Sequence, residues 1–177
     1  MTGKTFPASS EPEEQKNRPV IKSADITEEQ KTCRRAALSI LEYKSRTEEE
    51  LRKKLLSRGF SPALTDDAIE YAASFGYIND LRYAETYILN RMDQKSRQKI
   101  IMELAGKGIS RSTAEEAWEN IAPEERDERE LLLSELKKKL PDGRIPDEKE
   151  KRRLYAYFQR RGFRTDDILS AMDRLGE

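Results

Sequence analysis

Apolar residues recur along this chain at helical spacing and nowhere alternate over a useful length, so the pattern predicts helices and no sheet. Cys33, Ala36, Ala37, Ile40 and Leu41 form one face up to Tyr43, behind Thr27 and the acids Glu28 and Glu29, the residues of a helix start. The clearest signals lie in Arg46–Ser61. Thr47 and Glu50 form a T-x-x-E capping box, Leu51 and Leu55 lie one turn apart, and Gly59 can end the helix at positive φ. Phe60 follows as an apolar staple. Ser61 is the N-cap and Pro62 the first-turn proline of a third helix, which runs through Ala68, Ile69 and Ala72 to Phe75 and ends at Gly76.

The same frame returns twice. Shifted by 49 residues, Ile100, Leu104, Gly108, Ile109 and Ser110 stand for Leu51, Leu55, Gly59, Phe60 and Ser61. Shifted by 103, Leu154, Phe158, Gly162 and Phe163 do so. The register persists into the next helix, where Ala68, Ala117 and Ala171 coincide, followed by Ile69, Trp118 and Met172. A period of about fifty residues marks a repeat architecture.

The expectation is an all-α fold of nine helices, three tandem three-helix modules in an elongated, curved array. Residues 27–76 form the first module and residues 77–122 the second, with helices near 80–93, 97–107 and 111–121 and a cap at Asn79 or Asp80. Residues 123–177 form the third. After Pro123 an acidic helix carries Leu131, Leu132, Leu133 and Leu136, a turn-rich loop spans 140–146, and helices follow near 147–161 and 165–175. Residues 1–26, rich in Pro, Glu, Lys and Ser, read as a disordered arm.

Composition narrows the chemistry. The 177 residues are 38% charged and 36% hydrophobic, which suits thin helical layers better than one thick core. Cys33 is the single cysteine and there is no histidine, so a zinc site, an internal disulfide and histidine-based catalysis are not expected. The pairs Asp66–Asp67, Glu115–Glu116 and Asp166–Asp167 sit in first helical turns, where capping and the helix dipole explain them. Neither an enzyme nor a cofactor is expected. With no run of 18 apolar residues and no secretory signal, the chain is expected in the cytoplasm, away from membranes.

Charge is balanced in sum, 34 basic against 34 acidic residues, but not in place. Six basic residues against three acids occupy 44–59, six against two occupy 91–111, and seven against two occupy 148–164. Residues 61–80 carry four acids and no base. Stacked modules would align the basic helices as a stripe meeting phosphates or an acidic protein surface. The candidate contacts are Arg46, Arg52, Lys53, Arg58, Lys95, Arg97, Lys107, Arg152, Arg153 and Arg161. Phe60, Phe75, Trp118, Phe158 and Phe163 are expected in the core, whereas Tyr83, Tyr87, Tyr155 and Tyr157 stand beside basic residues.

The run RTEEELRKKLLSRGF followed by GYINDLRYA resembles the RecX family of bacterial recombinase regulators. The matching positions are Arg46, Glu50, Leu51, Lys54, Leu55, Arg58, Gly59 and Phe60, then Gly76, Tyr77, Ile78, Asn79, Asp80, Arg82, Tyr83 and Ala84. Asn79 stands where an acid is usual. The resemblance implies a protein that binds the RecA recombinase in the groove of its filament on single-stranded DNA, with direct DNA contact also open; the chain is expected to act as a monomer. It further implies restraint of the ATPase, strand-exchange and co-protease activities within DNA repair, recombination and the SOS response. Two rival readings follow from the residues: a stand-alone helical DNA-binding protein, and a tetratricopeptide-like scaffold, whose period of about 34 residues fits less well.

Overall fold

The computed structural model describes residues 26–121, 127–140 and 146–176, and these contain nine α-helices and no strand. The arm expected over 1–26 lies, apart from Ile26, outside the described residues, as do Pro123 and most of the 140–146 loop. The helices are α1 (Glu28–Tyr43), α2 (Glu48–Ser57), α3 (Pro62–Ser74), α4 (Asp80–Leu89), α5 (Arg97–Gly106), α6 (Arg111–Ile121), α7 (Glu128–Lys139), α8 (Glu148–Arg160) and α9 (Thr165–Asp173). A 3-10 turn, Arg174–Gly176, follows α9. They fall into three tandem groups of three.

Each group has its own core, built from the repeat positions. Cys33, Ala37, Ile40, Leu51, Leu55, Ala68, Ile69, Ala72 and Ile78 cluster in the first. Ala84, Ile88, Ile100, Leu104, Ile109, Ala114, Ala117 and Trp118 do so in the second, and Leu132, Leu136, Phe158, Phe163, Ile168, Ala171 and Met172 in the third. Alanines at 37, 68, 72, 84, 114 and 117 let α1 lie close on α3, and α4 on α6. Each fully buried leucine contributes about 1.5–3 kcal/mol by leaving water. Phe75 departs from expectation: it is 53% exposed, tilted between the rings of Tyr71 and Tyr77 at the end of α3. Helix α4 also stops at Leu89, short of 93, and the chain passes through turns held by Ile88 and Arg91 carbonyls before α5.

The modules are joined by one device used twice. Thr47, the N-cap of α2, is fully buried; its hydroxyl accepts from the Glu50 N–H at 3.1 Å and donates to the Lys107 carbonyl at 2.7 Å. The Glu48 N–H donates to Asp80, the first residue of α4, at 2.9 Å. Ser96, the N-cap of α5, is likewise buried, and its N–H donates to the Arg161 carbonyl at 3.1 Å. The Arg97 N–H donates to Glu128, the first residue of α7, at 2.5 Å. At both junctions the start of one module's middle helix is therefore satisfied by the next module's glycine turn and by the acid opening its first helix.

The turn must come very close for this. Gly108 and Gly162 hold φ of +87°, and a Cβ on Gly108 would collide with the Glu49 side chain, one on Gly162 with Lys99 and Ser96. The same turn in the first module, at Gly59, faces open space among the described residues. The expected capping box at Thr47 is half formed, because the Glu50 carboxylate turns away from the N-cap to bind Lys107 Nζ at 2.8 Å. Helix α8 ends the series differently. Leu51 and Ile100 follow their N-caps by four residues, but Leu154 follows Asp147 by seven, so α8 carries an extra turn closed by a complete capping box with Glu150.

Two measurements check this reading. Gly59→Ala and Gly108→Ala both incur the left-handed backbone strain of about 1–2 kcal/mol. Urea unfolding is expected to show a further loss of about 1–3 kcal/mol for Gly108→Ala alone, from the collision at the junction. In the first module Asp67 accepts from Arg34 at 2.7 and 2.8 Å and from Gln30 at 3.1 Å. The Arg34 guanidinium holds its carboxyl below the usual carboxylate range, so its stabilisation is present at neutral pH and lost as pH falls below about 4. Asp67→Asn is expected to lower Tm at pH 7, with the gap to the parent narrowing progressively as pH falls below about 4.

Candidate functional site

At least one acid of each pair considered for catalysis is held in an ion pair. Asp66 meets Arg52 and Asp67 meets Arg34, while Asp167 binds Arg129 and Glu115 binds Arg111. Among the described residues no group of three or more His, Cys, Asp or Glu could hold a metal, and no helix is long and apolar enough to cross a membrane. Cys33 is buried in the first core, and burial pushes its thiol up.

The ten candidate basic residues divide by what they touch. Arg52 is committed to Glu48, Glu49 and Asp66 within the first module. Lys95 binds both oxygens of Glu103, at 2.7 and 2.8 Å. Lys107 bridges the first junction to Glu50, and that hydrogen bond holds its ammonium pKa up. Arg161 donates to the Gln94 carbonyl at 3.1 Å across the second junction and lies 4.2 Å over the Tyr157 ring. Arg46 is half-buried, 4.0 Å from Glu50, with its Nε buried and without a partner. These five position the fold. Lys53 pairs with Glu49 but is exposed, and exposed Arg97 lies 5.6 Å over the Trp118 ring. Arg58, Arg152 and Arg153 are exposed and make no ion pair among the described residues. Arg153 edges a cavity of about 350 Å³ with Lys139, Tyr157 and Arg160.

The structure assembles a second basic surface from residues outside that set. A groove of about 500 Å³ opens where the first two modules meet. Helix α4 presents Arg82, Thr86 and Asn90 in one row and Tyr83 and Tyr87 in the next, each spaced by four residues so that they share a face. The α1–α2 connection adds Lys44 and Arg46, the end of α3 adds Tyr77, and Lys107 closes the floor. Among the described residues no carboxylate lines it.

The floor is held rigid from below. Tyr83 and Tyr87 lie nearly parallel, 6.3 Å apart, and Arg91 stacks over Tyr87 at 3.7 Å. The Tyr87 hydroxyl donates to Glu103 at 3.0 Å. Burial, then that carboxylate, pushes the Tyr87 phenol up. Burial alone would raise Glu103, but the Lys95 ammonium and the Tyr87 hydroxyl outweigh it and hold the carboxyl below its ordinary range. Glu103 is thus an anion spent beneath the groove, and the charge left facing solvent is positive. The signal available in the sequence was the comb of Arg82, Thr86 and Asn90 opposite the buried face of Ala84 and Ile88.

Comparison with known proteins places this architecture. Residues 33–71, 79–117 and 127–172 match in turn the patterns described as RecX, first, second and third three-helix domain. A regulatory protein RecX of Clostridium perfringens (strain 13 / Type A) is 31% identical over 144 residues, 81% of this chain and 68% of that protein. One of Vibrio vulnificus (strain CMCP6) is 30% identical over 142 residues, 80% of this chain and 91% of that protein. The crystal structure of RecX from Lactobacillus salivarius shares the fold with a TM-score of 0.63 at 23% identity, covering 85% of this chain and 99% of that one. With its three modules matched in order along most of its length, the chain belongs to the RecX family of regulatory proteins.

Proposed function

We propose that this chain binds the RecA recombinase and its filament on single-stranded DNA and restrains ATP hydrolysis, strand exchange and co-protease activity, thereby regulating DNA repair and recombination. One observation carries the reading: exposed cations on successive modules, Arg58, Arg97 and the Arg152–Arg153 pair, are held in fixed relation by two similar junctions at helix starts. A body of this kind engages a repeating partner at several points, each contact raising the effective concentration of the next. Arg46, Arg52, Lys95, Lys107 and Arg161 support those contacts from within, and Lys53 stands exposed beside Arg52. The mode of action is binding rather than catalysis, by a monomer in the cytoplasm. A second reading, a stand-alone helical DNA-binding protein, is favoured by the carboxylate-free groove alone.

The deciding assay is ATP hydrolysis by the cognate recombinase on single-stranded DNA while this protein is titrated in. Turnover is expected to fall at amounts well below one copy per recombinase protomer, and an unchanged rate at excess would overturn the reading. Arg152→Glu combined with Arg153→Glu is expected to weaken filament binding by about tenfold or more at 0.1 M salt. Its circular dichroism should match the parent's, since neither side chain has an internal ion pair among the described residues.

A further inference from the structure

The geometry points to a single-stranded nucleic-acid site in the groove between the first two modules, with Lys44, Arg82 and Arg91 on the phosphates and Tyr77 stacking on a base. It deepens the reading above and rests on it only in taking DNA as the physiological strand.

Charge is the first argument. The chain holds as many acids as bases, yet among the described residues five cationic side chains and no carboxylate line this groove. Lys44 and Arg82 make no ion pair among the described residues. Arg46 lines the groove half-buried, 4.0 Å from Glu50.

The aromatic side chains decide which anion fits. Tyr77 lines the groove at 60% exposure, with the exposed Phe75 ring 6.2 Å away. An exposed ring of this size gains little from a carboxylate but offers a stacking platform to an unpaired base, the usual partner of cations in single-strand grooves. A duplex keeps its base faces stacked on one another and presents none to Tyr77. The volume of about 500 Å³ lies within the range of ligand sites, about 300–1,000 Å³. Because Lys44 and Arg46 come from one module and Tyr77, Arg82, Arg91 and Lys107 from the next, the site exists only while the Thr47–Lys107 junction is made.

The test is fluorescence anisotropy of a labelled oligothymidylate of about fifteen nucleotides, and of a duplex of equal length, with the full chain. The single strand is expected to bind more tightly. Arg82→Glu and Lys44→Glu should each weaken it about tenfold and flatten the salt dependence by about 0.7 for each phosphate no longer neutralised. Tyr77→Ala should weaken it roughly five- to fiftyfold with the salt slope unchanged. Equal affinity for the duplex together with an indifferent Tyr77→Ala would overturn the proposal, as would competition by polyglutamate at equal charge concentration. The recombinase assay run in parallel separates the two readings. A chain that restrains the recombinase but binds no oligonucleotide removes the groove and keeps the filament reading. Oligonucleotide binding through these residues with no effect on the recombinase does the reverse.

Discussion

A helix cannot satisfy its own first backbone N–H groups, and this structure turns that deficit into the joint between its parts. The middle helices of the first two modules start with Thr47 and Ser96 in buried positions, where water cannot supply the missing acceptors. The next module supplies them: Asp80 accepts from the Glu48 N–H and Glu128 from the Arg97 N–H, while the carbonyl ahead of a glycine accepts the Thr47 hydroxyl at one junction and the Ser96 N–H at the other. Leaving such a group unpaired in a buried place costs on the order of 1–3 kcal/mol. Modules set at other angles would leave several unpaired, so the joint selects an orientation as well as a contact. The small separate cores need this help, since each buries only one stripe per helix.

Much of this was legible in advance. The helix starts at Thr27, Thr47 and Ser61 and the glycine turns at 59, 108 and 162 can be recognised because caps and positive-φ turns depend on a few adjacent residues. The cores followed from the same register. What escaped were facts involving two modules. Glu50 looks like a capping-box residue until Lys107 arrives from another module. Arg161 looks like a solvated cation until Gln94 lies beside it. Phe75 reads as core from its place at a helix end, but α3 stops just before it and its ring turns outward to Tyr71 and Tyr77.

The candidate surface was legible in kind rather than in residue. Basic helices were visible as composition, but a cation's availability depends on whether an acid lies within reach, and 34 acids are distributed to answer 34 bases. Arg52, Lys95 and Lys107 are answered; Arg58, Arg82 and Arg152 are not, among the described residues. Balanced composition with local imbalance keeps the molecule from adhering to every polyanion while leaving chosen places positive. It also makes those places sensitive to ionic strength, since exposed charges are screened over about 10 Å at 0.1 M salt.

The extra turn on α8 gives the array a direction. Its middle helix begins one turn too early, and there Asp147 and Glu150 each accept the other's N–H, a reciprocal closure that the two junction helices lack. The first module keeps its glycine turn open among the described residues. A surface that repeats along one molecule risks open-ended fibres when both ends match; the closed start of α8 and the open turn at Gly59 make the outer modules of this chain unlike.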